Sequence, residues 1–171
     1  NISKFVYNQT TPASFTNPSA NKSKWITNGK FHIDCSTFIK FIFMGFSYVS
    51  TPYNKQSMTE LKRNPGYSWS ITLPRTAAEQ AKYCVEKGYV LNAIDYTNFE
   101  NLDSGDLLFF DRDNGENGRF MNISHVAMCI GEDDDGDKIS IEVTRPGNVI
   151  QVRKIKDNTN GLVLVARVKK Y

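Results

Sequence analysis

Residues 32–43, with the sequence HIDCSTFIKFIF, decide the fold because they join a polar approach to a strongly apolar run. Asp34 is a residue type that accepts hydrogen bonds from first-turn backbone N–H groups, and apolar residues then recur at helical spacing. These residues are Phe38, Phe41, Ile42, Gly45 and Phe46. The pattern predicts a buried helix over about residues 36–49, with Cys35 at its first turn. N–H groups and the positive dipole end favour a thiolate there and can hold an oxyanion.

A structural role for Cys35 is the alternative, since cysteine is among the residue types most often buried and inert. The pattern gives Cys84 such a role, because Ala77 and Ala81 precede it on one helical face. Cys129 is the third cysteine, and no C-x-x-C spacing occurs. The sequence therefore predicts neither a disulfide framework nor a thiolate zinc site. Whether Cys35 is a nucleophile depends on a base elsewhere in the chain.

Length and composition fit a globular protein. The chain has 171 residues, of which 40% are hydrophobic and 23% charged, so we expect one domain over residues 1–171. The net charge of +3 is too small to favour nucleic acid, and no apolar run is long enough to span a membrane. No signal-peptide pattern opens the chain, and its first residue is Asn, so we expect a processed or excised piece from which an export signal could have been removed.

The first half of the chain contains two segments without clear periodicity. Residues 1–30 are rich in Asn, Ser and Thr, which predicts an irregular N-terminal extension anchored by Trp25. Residues 50–74 contain three prolines and predict a loop, with at most a short helical turn near residues 57–63. Trp69 belongs to an alternating stretch of this loop and is a candidate wall of a groove, with ordinary loop packing as the alternative.

The second half of the chain predicts one more helix and then a sheet. Residues 76–79 form a capping box, T-A-A-E, that opens a helix ending near Lys87 before Gly88. Short apolar or alternating segments then follow, separated by turn residues. They are residues 107–110, 123–130, 138–144, 149–153 and 162–168. Helices first and an antiparallel sheet afterwards indicate an α+β fold.

No metal or cofactor is expected. The acidic run at residues 133–137 lacks the bidentate Glu of an EF-hand loop, which favours a solvated hairpin turn over a calcium site. His32 and His125 are the two histidines. They lie too far apart in the chain to form a zinc ligand set such as H-E-x-x-H. No glycine-rich loop that would cradle a phosphate occurs.

His125 is the candidate base. It opens an alternating strand that puts His125, Ala127 and Cys129 on one face. Glu142 lies on the next strand, and pairing across the acidic hairpin would bring its carboxylate to the Nδ1–H of His125. A satisfied core histidine and an exposed strand glutamate are the alternatives. His32 is the other candidate base, and we expect it on a loop at the surface or at the rim of a cleft.

Four segments follow one another in a recognisable order. They are residues 34–36 (DCS) before an apolar helix, residues 73–76 (LPRT), residues 102–110 (LDSGDLLFF) and residues 124–131 (SHVAMCIG). Together they resemble the NlpC/P60 cysteine peptidases, which are papain-like hydrolases of bacterial cell-wall peptides. The resemblance covers about residues 30–145.

The resemblance implies a fold and a set of site residues. The fold is papain-like, with N-terminal helices packed on a five- to six-stranded antiparallel sheet. Cys35 matches the nucleophile and His125 the base, while Glu142 falls at an orienting position that commonly carries His, Asn or Gln. A carboxylate can do the same job. The residues implied in substrate binding are Asp34, Ser36, Arg75, Ser124 and Trp69; for Arg75, a structural role at the helix entry is the alternative.

Two functions remain open from the sequence. One is a cysteine endopeptidase or amidase that cleaves peptidoglycan stem peptides outside the cell, in the periplasm or at the wall, encoded by a bacterium or a phage. The other is a wall-binding module, or a phage or secretion-system component, that keeps the fold without turnover. In both, the expected partners are peptidoglycan peptides or glycans.

Overall fold

The structure is a computed structural model that describes residues 5–7, 26–27, 30–43, 46–48, 61–63, 71, 73–91, 99–113, 118–144 and 150–168. In chain order its elements are β1 (Phe5–Tyr7), β2 (Ile26–Thr27), β3 (Lys30–Ile33), α1 (Cys35–Phe43), β4 (Phe46–Tyr48), β5 (Leu61–Arg63), α2 (Ala77–Glu86), β6 (Leu107–Phe110), β7 (His125–Glu132), β8 (Lys138–Val143), β9 (Ile150–Lys154) and β10 (Leu162–Ala166). Short 3₁₀ turns precede β7 and follow β9.

A five-stranded antiparallel sheet forms the centre of the described fold. Its strand order is β10-β6-β7-β8-β9, so the central strand is β7. All its neighbouring pairs are antiparallel. This confirms the α+β class and the sheet predicted from alternation and turn residues. The predicted strand at residues 123–130 begins two residues later than expected, at His125, because Ile123 caps the 3₁₀ turn Phe120–Asn122.

β7 and β8 change register at a bulge. On the hairpin side Gly131 pairs with Ile139, but the next pair is Cys129 with Ser140, so Ile130 is an extra residue in β7. Gly131 has a φ of 113°, which L side chains rarely adopt. Every pair beyond the bulge is therefore shifted by one residue, and a shift of one exchanges the faces of a strand.

α1 is shorter than predicted. The helix ends at Phe43, whereas the periodicity predicted helix as far as residue 49. The segment Phe46–Tyr48 is instead a strand, paired antiparallel with Leu61–Arg63, where a helical turn was predicted. Gly45 is a poor helix former and aromatic residues favour strands. The partner strand lies some distance along the chain, which a local periodicity cannot detect.

The N-terminal region contains strands where an irregular extension was predicted. β1, β3 and β2 form a small sheet in that order, with β1 parallel and β2 antiparallel to β3. His32 is therefore a strand residue, and its predicted position on a loop was wrong. Strands of two to four residues give no usable period, and the pairing of β1 with β3 is non-local. Trp25 and Trp69 lie outside the described residues.

Both faces of the sheet are buried along β6 and along the first five residues of β7. On one face, alternate residues of β6 and β7 pack with both helices. This cluster includes Leu107, Phe109, Val126, Met128, Ile39, Phe43, Ala77, Ala81 and Cys84. The other face packs on loop residues and the second 3₁₀ turn. That cluster includes Leu108, Phe110, Ala127, Cys129, Leu102 and Ile155. The predicted core position of Cys84 is confirmed, and Cys129 is buried as well.

α2 begins with the predicted capping box. The Thr76 hydroxyl accepts a hydrogen bond from the Glu79 N–H at 3.3 Å, and the Thr76 N–H donates to the Glu79 carboxylate at 3.0 Å. The helix ends at Glu86, and Gly88 follows with a φ of 67°. A left-handed glycine after the last turn is the usual way to stop a helix. The box fixes the end of α2 that faces α1.

Loss of the capping box lowers stability. We expect Thr76→Ala to reduce the free energy of unfolding by about 1 kcal/mol, because one first-turn N–H loses its acceptor. Urea unfolding followed by circular dichroism measures this change. Glu79→Gln is the control, since an amide can still accept the Thr76 N–H and should cost less. Equal stability of Thr76→Ala and the wild type would contradict the assigned role.

Candidate functional site

Asp34 builds the N-terminus of α1. Its Oδ1 accepts hydrogen bonds from the Thr37 N–H at 2.8 Å and from the Ser36 hydroxyl at 3.0 Å. Its carbonyl accepts the Phe38 N–H at 3.0 Å, which starts the helix. The predicted cap is therefore present, and it places Cys35 as the first helical residue.

Arg75 and Gln80 tie the second helix to this N-terminus. Arg75 Nη2 lies 2.6 Å from Asp34 Oδ2, and its Nη1 donates to the Ser36 hydroxyl at 3.0 Å. Gln80 Nε2 donates to the Ser36 carbonyl at 2.9 Å. The Asp34 and Arg75 side chains are 9% and 11% exposed, so this is a nearly buried ion pair. Removing one partner would leave an uncompensated charge beside Cys35, so we expect both side chains to be needed to hold the start of α1.

The Cys35 sulfur lies where α1 meets β7. The backbone N–H groups of Val126 and Ser36 are directed at it, and the residue is 6% exposed. Burial, followed by the Asp34 charge, raises the pKa of the Cys35 thiol to about 12, against the lowering effect of the two N–H groups and of Arg75. The sequence favoured a thiolate because of the helix start. The structure corrects this expectation: desolvation outweighs the helix terminus, so the resting group is a neutral thiol.

His125 and Glu142 are brought together by the sheet. His125 Nε2 lies 2.6 Å from Glu142 Oε2, and the two side chains are 11% and 0% exposed. Glu142 pairs directly with Ala127, so it is the diagonal neighbour of His125 on the same face. The expected contact is thus present, but through Nε2 rather than the predicted Nδ1. Nδ1 is the ring nitrogen on the side away from Glu142.

Two arginines approach the Glu142 carboxylate. Arg153 Nε lies 2.7 Å from Oε1, and Arg112 Nη1 lies 3.9 Å from Oε2. Burial alone would raise the pKa of Glu142, but the hydrogen bond from His125 and the charges of His125, Arg112 and Arg153 hold it below its ordinary value. Glu142 is therefore an ionised acceptor at neutral pH.

Sequence reasoning missed both arginines. Arg153 lies two residues after Gln151, the direct partner of Glu142 across β8 and β9, so a correct register would have placed it on the same face. Arg112 follows the end of β6, and only the pairing of β6 with β7 reveals its position near His125.

A cavity of about 330 Å³ adjoins Cys35. Its lining comes from the start of α1, the start of α2 and the segment before β7. The lining residues are Asp34, Cys35, Ser36, Arg75, Thr76, Ala77, Ala78, Arg119, Ile123 and Ser124. Four of the five residues expected to bind substrate are among them, and the fifth, Trp69, lies outside the described residues. His125 follows the last lining residue but is not itself in the lining.

The lining residues also have structural roles. The Ser124 hydroxyl accepts the Arg112 backbone N–H at 3.0 Å, and Ser36 bonds to Asp34 and Arg75 as described above. Arg119, which sequence reasoning missed, donates to Asp113 at 2.8 Å from the half-exposed rim. The wall beside Cys35 is thus polar, with a cation at its open side.

A lysine from β9 contacts the acidic turn of the hairpin between β7 and β8. Asp133, Asp135 and Asp137 have oxygens close enough together to hold a metal ion. The Lys154 ammonium lies 3.1, 3.0 and 2.7 Å from these three carboxylates. Lys156 also contacts Asp137, at 2.6 Å. These contacts favour the hairpin turn expected from the sequence over a calcium loop.

A comparison against family models assigns most of this chain to one family. The model of the NlpC/P60 family matches residues 20–165. The chain belongs to the NlpC/P60 family. The resemblance inferred from four short segments is therefore confirmed, and Cys35, His125 and Glu142 all lie within the match. Comparisons with curated proteins and with solved structures give no match.

Membership in the NlpC/P60 family indicates a broad function. Its members are generally hydrolases that act on peptidoglycan, and they are typically related to the cell wall. Within the described residues of this NlpC/P60 chain, none of the helices combines the length and the apolar character needed to cross a bilayer.

The raised pKa of the buried Cys35 thiol predicts how its alkylation depends on pH. Below its pKa of about 12, the thiolate fraction rises about tenfold for each pH unit, and alkylation by iodoacetamide follows that fraction. We expect slow modification of Cys35 at pH 7 and a steady rise to pH 10, measured by mass spectrometry of the Cys35 peptide. The Cys84 and Cys129 peptides serve as buried controls. A plateau already reached at pH 7 would show a preformed thiolate instead.

Proposed function

We propose that the protein is a cysteine hydrolase that cleaves amide bonds in peptidoglycan stem peptides, with Cys35 as nucleophile, His125 as base and Glu142 as orienting acceptor. The observation that supports this most is the buried 2.6 Å contact between His125 and Glu142, at the start of the strand whose next N–H is directed at the Cys35 sulfur. A nucleophile, a base and an orienting group are what thiol catalysis needs.

The reaction begins with transfer of the Cys35 proton to His125. The sulfur attacks the amide carbonyl, and the carbonyl electron pair moves to oxygen. Cys35 occupies the first turn of α1, where backbone N–H groups have no intrahelical acceptor, and its N–H stabilises that oxyanion. When the tetrahedral intermediate collapses, the imidazolium protonates the leaving amine and a thioester remains. His125 then takes a proton from water, and the hydroxide attacks the thioester. When this second intermediate collapses, the imidazolium returns its proton to the departing Cys35 sulfur, which gives the free thiol and a carboxylic acid product.

The raised pKa of Cys35 determines the timing of the first step. A thiol with a pKa of about 12 gives its proton to an imidazole only at a cost, so little thiolate forms before substrate arrives. Proton transfer therefore accompanies attack on the carbonyl. Ionised Glu142 supports this step because its negative charge stabilises the imidazolium that forms.

The polar cavity beside Cys35 is the proposed binding site for the stem peptide. Asp34, Ser36, Arg75 and Ser124 form its wall, and Trp69 is retained as a proposed contact. The resemblance to the family favours bonds next to D-amino acids, either a D-glutamyl–diamino acid link or the muramoyl–L-alanine bond. We also propose the papain-like arrangement of helices on sheet, and action outside the cell, in the periplasm or at the wall of a bacterium, with a phage origin as an alternative.

A wall-binding protein without turnover is the second candidate. The buried, neutral thiol favours it, because an inert Cys35 needs no route to a thiolate. The two candidates differ in one outcome: binding of wall fragments with or without release of peptides.

Replacement of the sulfur separates these candidates. We expect Cys35→Ala to lose at least about 1,000-fold in peptide release from purified walls, because no covalent intermediate can form. Mass spectrometry of the released fragments provides the measurement and identifies the bond that is cut. Cys84→Ala is the matched control, since it removes another buried thiol with a pKa of about 12. Wall digestion by folded Cys35→Ala would refute the proposed nucleophile.

The two histidines provide a direct test of the base. We expect His125→Ala to reduce kcat/KM by about 100- to 10,000-fold, because general base catalysis at the thiol is lost. His32→Ala should retain activity, since His32 is a β3 residue in the small N-terminal sheet. Initial rates on a soluble stem peptide give both values. Loss of activity only in His32→Ala would reverse the assignment.

A further inference from the structure

Among the described residues, the charges that contact Glu142 do not balance. Its side chain is 0% exposed, and it is the acceptor for His125 Nε2 at 2.6 Å. One negative charge here has two permanent positive neighbours, Arg153 at 2.7 Å and Arg112 at 3.9 Å. With His125 neutral, the group carries a net positive charge. One arginine already matches the charge of the carboxylate, so the second arginine leaves a surplus of positive charge in this group.

Arg112 is held firmly in this position. Its Nη2 donates to Asn158 Oδ1 at 2.8 Å, and its Cζ lies 4.4 Å from the centre of the Phe110 ring. The same ring lies 5.8 Å from the ring of His125. Ser124 accepts the Arg112 backbone N–H, so the residue before His125 also fixes the backbone of Arg112. The positive charge is thus positioned over the aromatic surface that packs against His125.

Arg153 approaches from the other side of the carboxylate. Its Nε–H donates to Gln151 Oε1 at 2.9 Å, and its Nη2 donates to the same oxygen. Among the described residues, Glu142 Oε1 accepts no hydrogen bond despite its 2.7 Å distance from Arg153 Nε. Arg153 therefore acts on Glu142 through its charge, while Gln151 fixes its orientation.

We propose that Arg112 and Arg153 are positioning residues that offset the charge of Glu142, so that Glu142 orients His125 without making its imidazole strongly basic. The inference rests on the proposed function for its catalytic meaning. Nearby positive charge disfavours imidazolium, whereas an unopposed carboxylate favours it. Elsewhere in the proposed site, Cys35 is a neutral thiol and the charges of the Asp34–Arg75 pair cancel. The arginines thus provide the unbalanced charge among these groups.

This balance suits both halves of the proposed reaction. An imidazole that is too basic would remain protonated at neutral pH and could not accept the Cys35 proton. It would also release its proton less readily to the leaving amine. The Arg112 charge interacts with that of Cys35 as well, in the direction that favours a thiolate. Both arginines therefore weaken the imidazolium, and Arg112 also assists the sulfur.

Proton NMR titration of His125 tests the proposal without any need for activity. The chain has two histidines, so a His32→Gln protein assigns the signals. We expect Arg153→Gln and Arg112→Gln each to raise the pKa of His125 by about one unit, and Glu142→Gln to lower it. Adding both arginine substitutions to Glu142→Gln should move the value back upward.

Controls separate charge from structure. Arg112→Lys and Arg153→Lys keep the positive charge and should leave the His125 pKa within about 0.3 units. Lys82→Gln removes a charge from the exposed face of α2 and should have no effect. Arg153 is 44% exposed, so Arg153→Gln remains decisive if Arg112→Gln does not fold. An unchanged or lowered His125 pKa in folded Arg153→Gln would overturn the proposal.

The pH dependence of kcat/KM then joins this proposal to the proposed function. The acidic limb should move upward in Arg153→Gln by the same amount as the NMR titration. A shift in the titration with no wall hydrolysis by any variant would refute the proposed function and retain the electrostatic role. Hydrolysis whose acidic limb does not move would refute the role and retain the function.

Discussion

A fully buried carboxylate constrains the functional half of this protein. Glu142 is ionised inside the sheet, and an isolated charge there would be too costly to keep. Its compensation comes from β7, from β9 and from the segment after β6, through His125, Arg153 and Arg112. The strand order β6-β7-β8-β9 is therefore a condition for the site as well as for the core, because it brings all three partners to one carboxylate.

The sequence predicted the parts of the site that depend on local rules. The cap at Asp34 follows from residue type and periodicity, and alternation gives the neighbours that share a face with His125 and with Glu142 on their own strands. That these two faces coincide also depends on the bulge at Ile130. The ring nitrogen that faces Glu142 could not be predicted, since it depends on the angle between diagonal neighbours. Nor could the role of Arg153, because β9 shows its register only when paired with β8.

The remaining differences have a common physical cause in non-local contacts. Cys35 has the local surroundings of a reactive thiolate, but packing of α2 and β7 around α1 removes it from water and reverses the expected shift. The strands β1, β4 and β5 are each three residues long and pair with distant partners, so local patterns favoured loop or helix there. Most of the antiparallel sheet was predictable because β6, β7, β8 and β9 each lie beside the next strand in the chain, whereas β10 pairs with β6 at the opposite edge from β9.

The bulge at Ile130 decides which side of the sheet receives the carboxylate. If the register set by the pair Gly131 and Ile139 continued without an extra residue, Glu142 would lie opposite Met128. It would then be in the hydrophobic cluster between the sheet and the two helices. Because Ile130 is inserted, Glu142 instead lies on the face of the sheet that carries His125. Substitutions in the acidic hairpin turn, residues 133–137, leave this strand register unchanged. Deletion of a single residue at the bulge would instead move Glu142 to the opposite face from His125, although every side chain of the site would still be present in the chain.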